Sequence, residues 1–107
     1  MSMKKFKTVE ELLEDPARWI KATGAVTAEG KAVSVDHKDA CAFCLIGALS
    51  KVYGHGYDLQ LAKEKVRAAI SRRLDDVRLP YSKIIYWNDD PATTHADVME
   101  VVREAHV

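Results

Sequence analysis

The sequence predicts a mainly α fold, a single compact domain over residues 1–107 with four to five helices and a short β-hairpin, packed as one layer of helices on another. Three observations predict it. The chain has 107 residues, 48% apolar and 30% charged, which is enough to bury roughly two thirds of the unfolded chain's surface around one core. Two long stretches carry apolar residues at helical spacing, the mark of amphipathic helices. Helix-start chemistry recurs along the chain at Thr8, Asp15, Asp58 and Thr94, where short polar side chains can accept from orphan backbone N–H groups.

In chain order, Thr8-Val9-Glu10-Glu11 has the form of a capping box and opens a short helix. Asp15-Pro16 opens a second turn or two, since Asp caps and proline suits the first helical position, and Gly24 ends it. Ala25 to Val35 reads as a hairpin or irregular loop, with Val26, Val33 and Val35 as its larger apolar positions. After Asp39, residues Cys41, Cys44, Leu45, Ala48, Leu49 and Val52 form one helical stripe, with Phe43 and Ile46 on the other side. A helix apolar nearly all round belongs at the centre of the core. Gly47 within it predicts close approach by another backbone or ring.

Gly54-His55-Gly56 stops that helix, and Asp58 caps the next, whose stripe is Leu59, Ala62, Val66, Ala69, Ile70, Leu74 and Val77, closed by Leu79-Pro80. Tyr81 to Ala92 begins aromatic and β-branched and turns strongly turn-forming, so it reads as a small extended element leading to a corner. Thr94 to Asp97 caps a last helix with Val98, Val101, Val102 and Ala105 on one face.

Sixteen Lys+Arg against sixteen Asp+Glu leaves no excess of basic charge, which argues against a nucleic-acid or membrane-surface binder. Two cysteines are too few to staple a secreted mini-fold. The basic start Met1 to Lys7 meets Glu10-Glu11 before any apolar stretch, so no export signal is expected. The longest apolar run, Ala40 to Leu49, is half a bilayer span. A soluble, cytoplasmic protein is the expectation.

The residues Cys44-Leu45-Ile46-Gly47-Ala48-Leu49 and Trp87-Asn88-Asp89, with Thr94 and Val98 beyond them, resemble a family of small uncharacterised bacterial and phage domains. That family has a Cys-Leu-x-Gly-Ala-Leu helix and a Trp-Asn-Asp loop before a terminal helix. The resemblance runs from about Trp19 to Ala105. It implies this layout and no reaction.

Cys41-Ala42-Phe43-Cys44 is a CxxC near a helix start, where a thiol pKa can fall. Redox chemistry is the sharper reading, but no strand of a βαβ unit precedes the motif, and two buried small hydrophobes are preferred. Zinc could draw on Cys41, Cys44, His37 and His55, yet the spacing lacks a second ligand pair, so no metal is expected. A nucleophilic arrangement would use Cys44 or Cys41 with His95, oriented by Asp89 or Asn88. In Trp87-Asn88-Asp89-Asp90-Pro91 the plain reading is a corner with Trp87 in the core, and the functional one is a contact loop.

Charge is unevenly laid out. Leu61 to Arg78 carries six basic residues against three acidic, while Asn88 onward carries five acidic against Arg103. The basic helix, at Arg72 and Arg73, can therefore touch an acidic partner, or the two regions can meet each other. The resulting expectation is a non-enzymatic binding or regulatory module, phage-linked, with no cofactor. Trp87 and Asn88 or Arg72 and Arg73 make its contacts with a protein partner, and a homodimer is compatible. The alternative is a small cysteine-dependent enzyme with a thiol nucleophile and His95.

Overall fold

The computed structural model describes residues 6–74 and 82–107. The expected end of the basic helix, from Val77 to Leu79-Pro80, lies outside them, as does Tyr81. The described elements are α1 (Val9–Leu13), a 3-10 turn (Pro16–Arg18), β1 (Ala25–Val26), β2 (Ala42–Phe43), α2 (Leu45–Tyr53), α3 (Tyr57–Leu74), α4 (Ser82–Asp89) and α5 (His95–Ala105). The fold is mainly α, as the periodicity predicts.

The caps form where local sequence puts them. Thr8 accepts from Glu11 N at 3.1 Å, although the Glu11 carboxylate reaches back to Lys7 N rather than to Thr8 N. Asp15 accepts from Ala17 N at 2.9 Å. At α5 the capping box is complete in both directions, Asp97 N to Thr94 Oγ1 and Thr94 N to Asp97 Oδ2. Asp58 is not the cap expected of it: α3 starts at Tyr57, so Asp58 sits in the first turn, where a carboxylate complements the helix dipole.

One hydrophobic cluster joins every helix, with Leu12 and Leu13 of α1, Phe43, Leu45 and Leu49, Val66 and Ile70 of α3, Ile84 of α4, and Val98, Val101 and Val102 of α5 all buried. α2 packs against α1, α3 and α4, the central position foreseen for it. α3 lies mainly along α5 and α2. Leu74, expected on the α3 stripe, is exposed at its end.

Three expectations are corrected. The central helix begins at Leu45, not near Cys41, because Cys41 N and Cys44 N bond to Val26 O and Gly24 O and hold this stretch extended. Phe43, assigned to the far side of a helix, is fully buried on the strand. Within Ala25 to Val35, read as a hairpin or irregular loop, the chain folds back on itself as a narrow hairpin, Thr27 N donating to Lys31 O at 2.9 Å and Val33 N to Ala25 O at 3.0 Å around a bridge of Val26 with Ala32. The strand partner of β1 is β2, antiparallel, with Ala25 opposite Phe43. Finally, Trp87-Asn88-Asp89 is not a loop but the last turn of α4. There Ile84 and Asn88, four residues apart, share a buried face, so tertiary packing overrides a composition that favours strand.

Candidate functional site

Three segments far apart in sequence meet where the first turn of α2, the last turn of α4 and residues 19–24 come together. Gly47 permits the approach: a Cβ there would lie 2.0 Å from the Gly24 carbonyl oxygen. Only a residue without a side chain fits. The predicted close contact is thus with backbone, from the turn that precedes β1.

Asn88 ties the segments. Its side-chain oxygen accepts from Trp19 Nε1 at 2.7 Å and from Leu45 N at 3.0 Å. Its amide nitrogen donates to Ile20 O at 3.1 Å and to Asp89 Oδ1 at 2.9 Å. At 1% exposure this amide has both lone pairs and both protons engaged, which is what a buried polar group requires. Asp89 Oδ1 also accepts from Ala22 N at 2.9 Å. That contact holds Ala22 at φ 74°, a left-handed conformation that costs a residue with a Cβ of order 1 kcal/mol.

Cys44 is the N-cap of α2, its Sγ accepting from Gly47 N at 3.3 Å. Burial pushes the thiol pKa up, and the neighbouring Asp89 carboxylate adds to the rise against the backbone donors at the helix start. The thiol is therefore held protonated, the reverse of an activated nucleophile. Cys41 lies three residues away along extended backbone, which separates the two Cα atoms by about 10 Å, beyond the roughly 7 Å limit for a disulfide. The CxxC is not a redox pair in this conformation.

Beside Cys44 a cavity of about 250 Å³ opens, lined by Ala22, Thr23, Gly24, Ile46, Ile85, Asn88 and Asp89. Of the sequence-derived candidates, Cys44, Asn88 and Asp89 thus share one site. His95 is engaged elsewhere, its Nε2 on Leu13 O and its ring tilted against Trp19 at 6.2 Å. Trp87 is half-buried and faces a second, more open hollow of about 450 Å³ with Arg73, Thr93 and Asp97.

Arg72 and Arg73 meet the acidic carboxyl-terminal region. Arg72 pairs with Glu104 at 2.8 Å, and Arg73 with Glu100 at 2.5 Å and Asp97 at 3.1 Å. His37 Nδ1 accepts from Asp39 N, and His55 pairs with Asp36 at 2.9 Å. Among the described residues no group of three or more His, Cys, Asp or Glu side chains could hold a metal ion, and no helix is long and apolar enough to cross a membrane.

Sequence reasoning missed Trp19, the Ala22–Gly24 turn and Ile85. Their roles exist only through contacts about 20 to 70 residues away, and no local spacing announces them. Fold and site together define a small mainly α domain centred on a buried asparagine clamp. The chain belongs to a family of unknown function, DUF6197, whose model matches residues 5–107. No curated protein and no solved structure matches it.

Proposed function

We propose that the chain is a non-enzymatic protein-binding module that meets its partner through the outward face of α4. One observation carries this reading. On that short helix Ile85 and Tyr86 are 47% and 67% exposed while Ile84 and Asn88 are buried, so two large apolar side chains stand in water on an element clamped rigidly from behind. A rigid aliphatic and aromatic pair of this kind is the usual anchor of a protein interface.

The basic helix is the weaker surface, because Arg72 and Arg73 already pair with α5. A cysteine-dependent enzyme is weaker too, because burial pushes the Cys44 thiol up and so disfavours the thiolate. The origin implied by the resemblance is bacterial or phage, and the two cysteines fit a reducing cytosol.

The test is capture from cognate lysate on immobilised parent, Ile85→Asp/Tyr86→Asp and Arg72→Glu proteins, each verified as folded by circular dichroism. A protein retained by the parent and by Arg72→Glu but lost from the α4 double variant supports the reading. Retention by the α4 variant at the parental level overturns it.

A further inference from the structure

We infer that the cavity beside Ile85 is an anchor pocket for a lysine side chain of the partner, with the ammonium at Asp89. This rests on the α4 reading, since Ile85 forms both the exposed face and one wall of the pocket.

Size speaks first. At about 250 Å³ the cavity is below the usual range of small-molecule and cofactor sites, roughly 300–1,000 Å³, and suits one inserted side chain. Its walls, Ala22, Gly24, Ile46 and Ile85, are aliphatic or backbone, the surroundings that an alkyl stem prefers while its charged head reaches a polar end.

Charge decides the head group. Among the described lining residues Asp89 alone is a carboxylic acid, and none is basic. Both of its hydrogen bonds fall on Oδ1, from Ala22 N and Asn88 Nδ2, and among the described residues Oδ2 has no partner. The Lys21 ammonium is engaged with other groups, its Nζ donating to Asp90 O at 2.6 Å and lying over the Trp19 ring. An anion is disfavoured at the same place, because the first-turn amides of α2 are already taken, Leu45 N by Asn88 and Gly47 N by Cys44. An ammonium on Oδ2 would be a charge-assisted hydrogen bond in a half-buried site, stronger than a neutral one.

The probe is n-butylamine, protonated at pH 7, with the four-carbon stem of lysine, titrated into 15N-labelled protein. Saturable shifts of the Ala22, Gly24 and Ile46 amides are expected, at least fivefold weaker for 1-butanol. Asp89→Asn keeps the Oδ1 acceptor for Ala22 N and removes the charge, so it should weaken butylamine at least fivefold. Ile46→Phe, which fills the pocket, should abolish the shifts in a folded protein. Butylamine that leaves these amides unmoved, or binds folded Asp89→Asn as well as the parent, overturns the inference. A captured partner that needs Ile85 and Tyr86 but is indifferent to Asp89→Asn leaves the α4 reading standing and removes this one. Butylamine binding with a partner indifferent to α4 overturns the α4 reading and, with it, the assignment of the pocket to that partner's lysine.

Discussion

The Trp19 indole N–H donates to the Asn88 side-chain oxygen at 2.7 Å, across 69 residues of sequence. The same oxygen accepts from the first amide of α2, so one side chain joins the segment after the 3-10 turn, the central helix and α4. Asn88→Ala strands one buried donor, Leu45 N, one part-buried donor, Trp19 Nε1, and the part-buried acceptor Ile20 O. At about 1–3 kcal/mol for each unsatisfied group, the loss is expected to be about 3–5 kcal/mol, a large part of the roughly 5–15 kcal/mol of a typical domain. Urea unfolding measures it. A loss under about 1 kcal/mol would mean that the clamp decorates a fold held by the core alone.

Gly47→Ala sets two effects against each other. Helix propensity favours alanine by about 1 kcal/mol in an exposed helix. Here the added Cβ would lie 2.0 Å from Gly24 O and 2.9 Å from Gly24 C, and these are backbone atoms that cannot swing aside. Overpacking of this kind costs about 1–3 kcal/mol or more. The expected sign is therefore a net destabilisation, read as a fall in the thermal midpoint, together with shifted amide resonances at Gly24 and Ala25. A rise in the midpoint would show that the two segments are further apart.

What could be read from sequence divides by range. Thr8, Asp15 and the Thr94/Asp97 box were legible because a cap acts over two or three residues. The α3 and α5 faces were legible because a stripe repeats. The start of α2 was misplaced because Cys41 continues the helical spacing by chance, while the decisive bonds, to Val26 O and Gly24 O, come from a distant strand. From sequence Asn88 reads as a turn former, a partner contact or an orienter of His95, and not as a buried clamp. Its actual partners, Trp19 and Leu45, lie 69 and 43 residues away, where no spacing rule reaches. The meeting of Arg72 and Arg73 with the acidic carboxyl-terminal region was foreseen as one of two outcomes, because charge sums locate faces without pairing them.

The two thiols should part company chemically. Cys41 is half-exposed and Cys44 buried, so iodoacetamide on native protein at pH 8 is expected to label Cys41 first, with Cys44 waiting on opening of the fold. Rapid labelling of Cys44 below pH 7 would restore the nucleophile reading. The pH dependence of stability gives a second measure. Because the folded Cys44 pKa is raised, its contribution is complete below the unfolded thiol value and disappears as pH rises through the folded one. The parent should therefore lose more stability than Cys44→Ser between about pH 8 and 10. Serine keeps an N-cap acceptor for Gly47 N, whereas Cys44→Ala removes it at a cost of about 1 kcal/mol.

Asp97 gives the acid limb. Its carboxyl is held below the usual carboxylate range first by the Thr94 backbone N–H, then by the Thr94 side chain, with Arg73 a smaller contributor. A depressed folded pKa means stability that is present above the unfolded carboxylate value and is lost as pH falls through the folded one. Asp97→Asn should therefore flatten the stability profile on the acid side of about pH 4 and leave its neutral shape unchanged. The order of the two causes is also testable. Adding about 1 M salt shortens the screening length to roughly 3 Å, so it should weaken the contribution of the exposed Arg73 pair while sparing the cap. Arg73→Ala should then change the acid limb little in high salt. Thr94→Ala, which keeps the backbone N–H but removes the side-chain partner and costs about 1 kcal/mol of helix stability, should flatten it in part at either salt concentration. If Arg73→Ala flattens the limb more than Thr94→Ala does, the ion pair and not the capping box sets the titration.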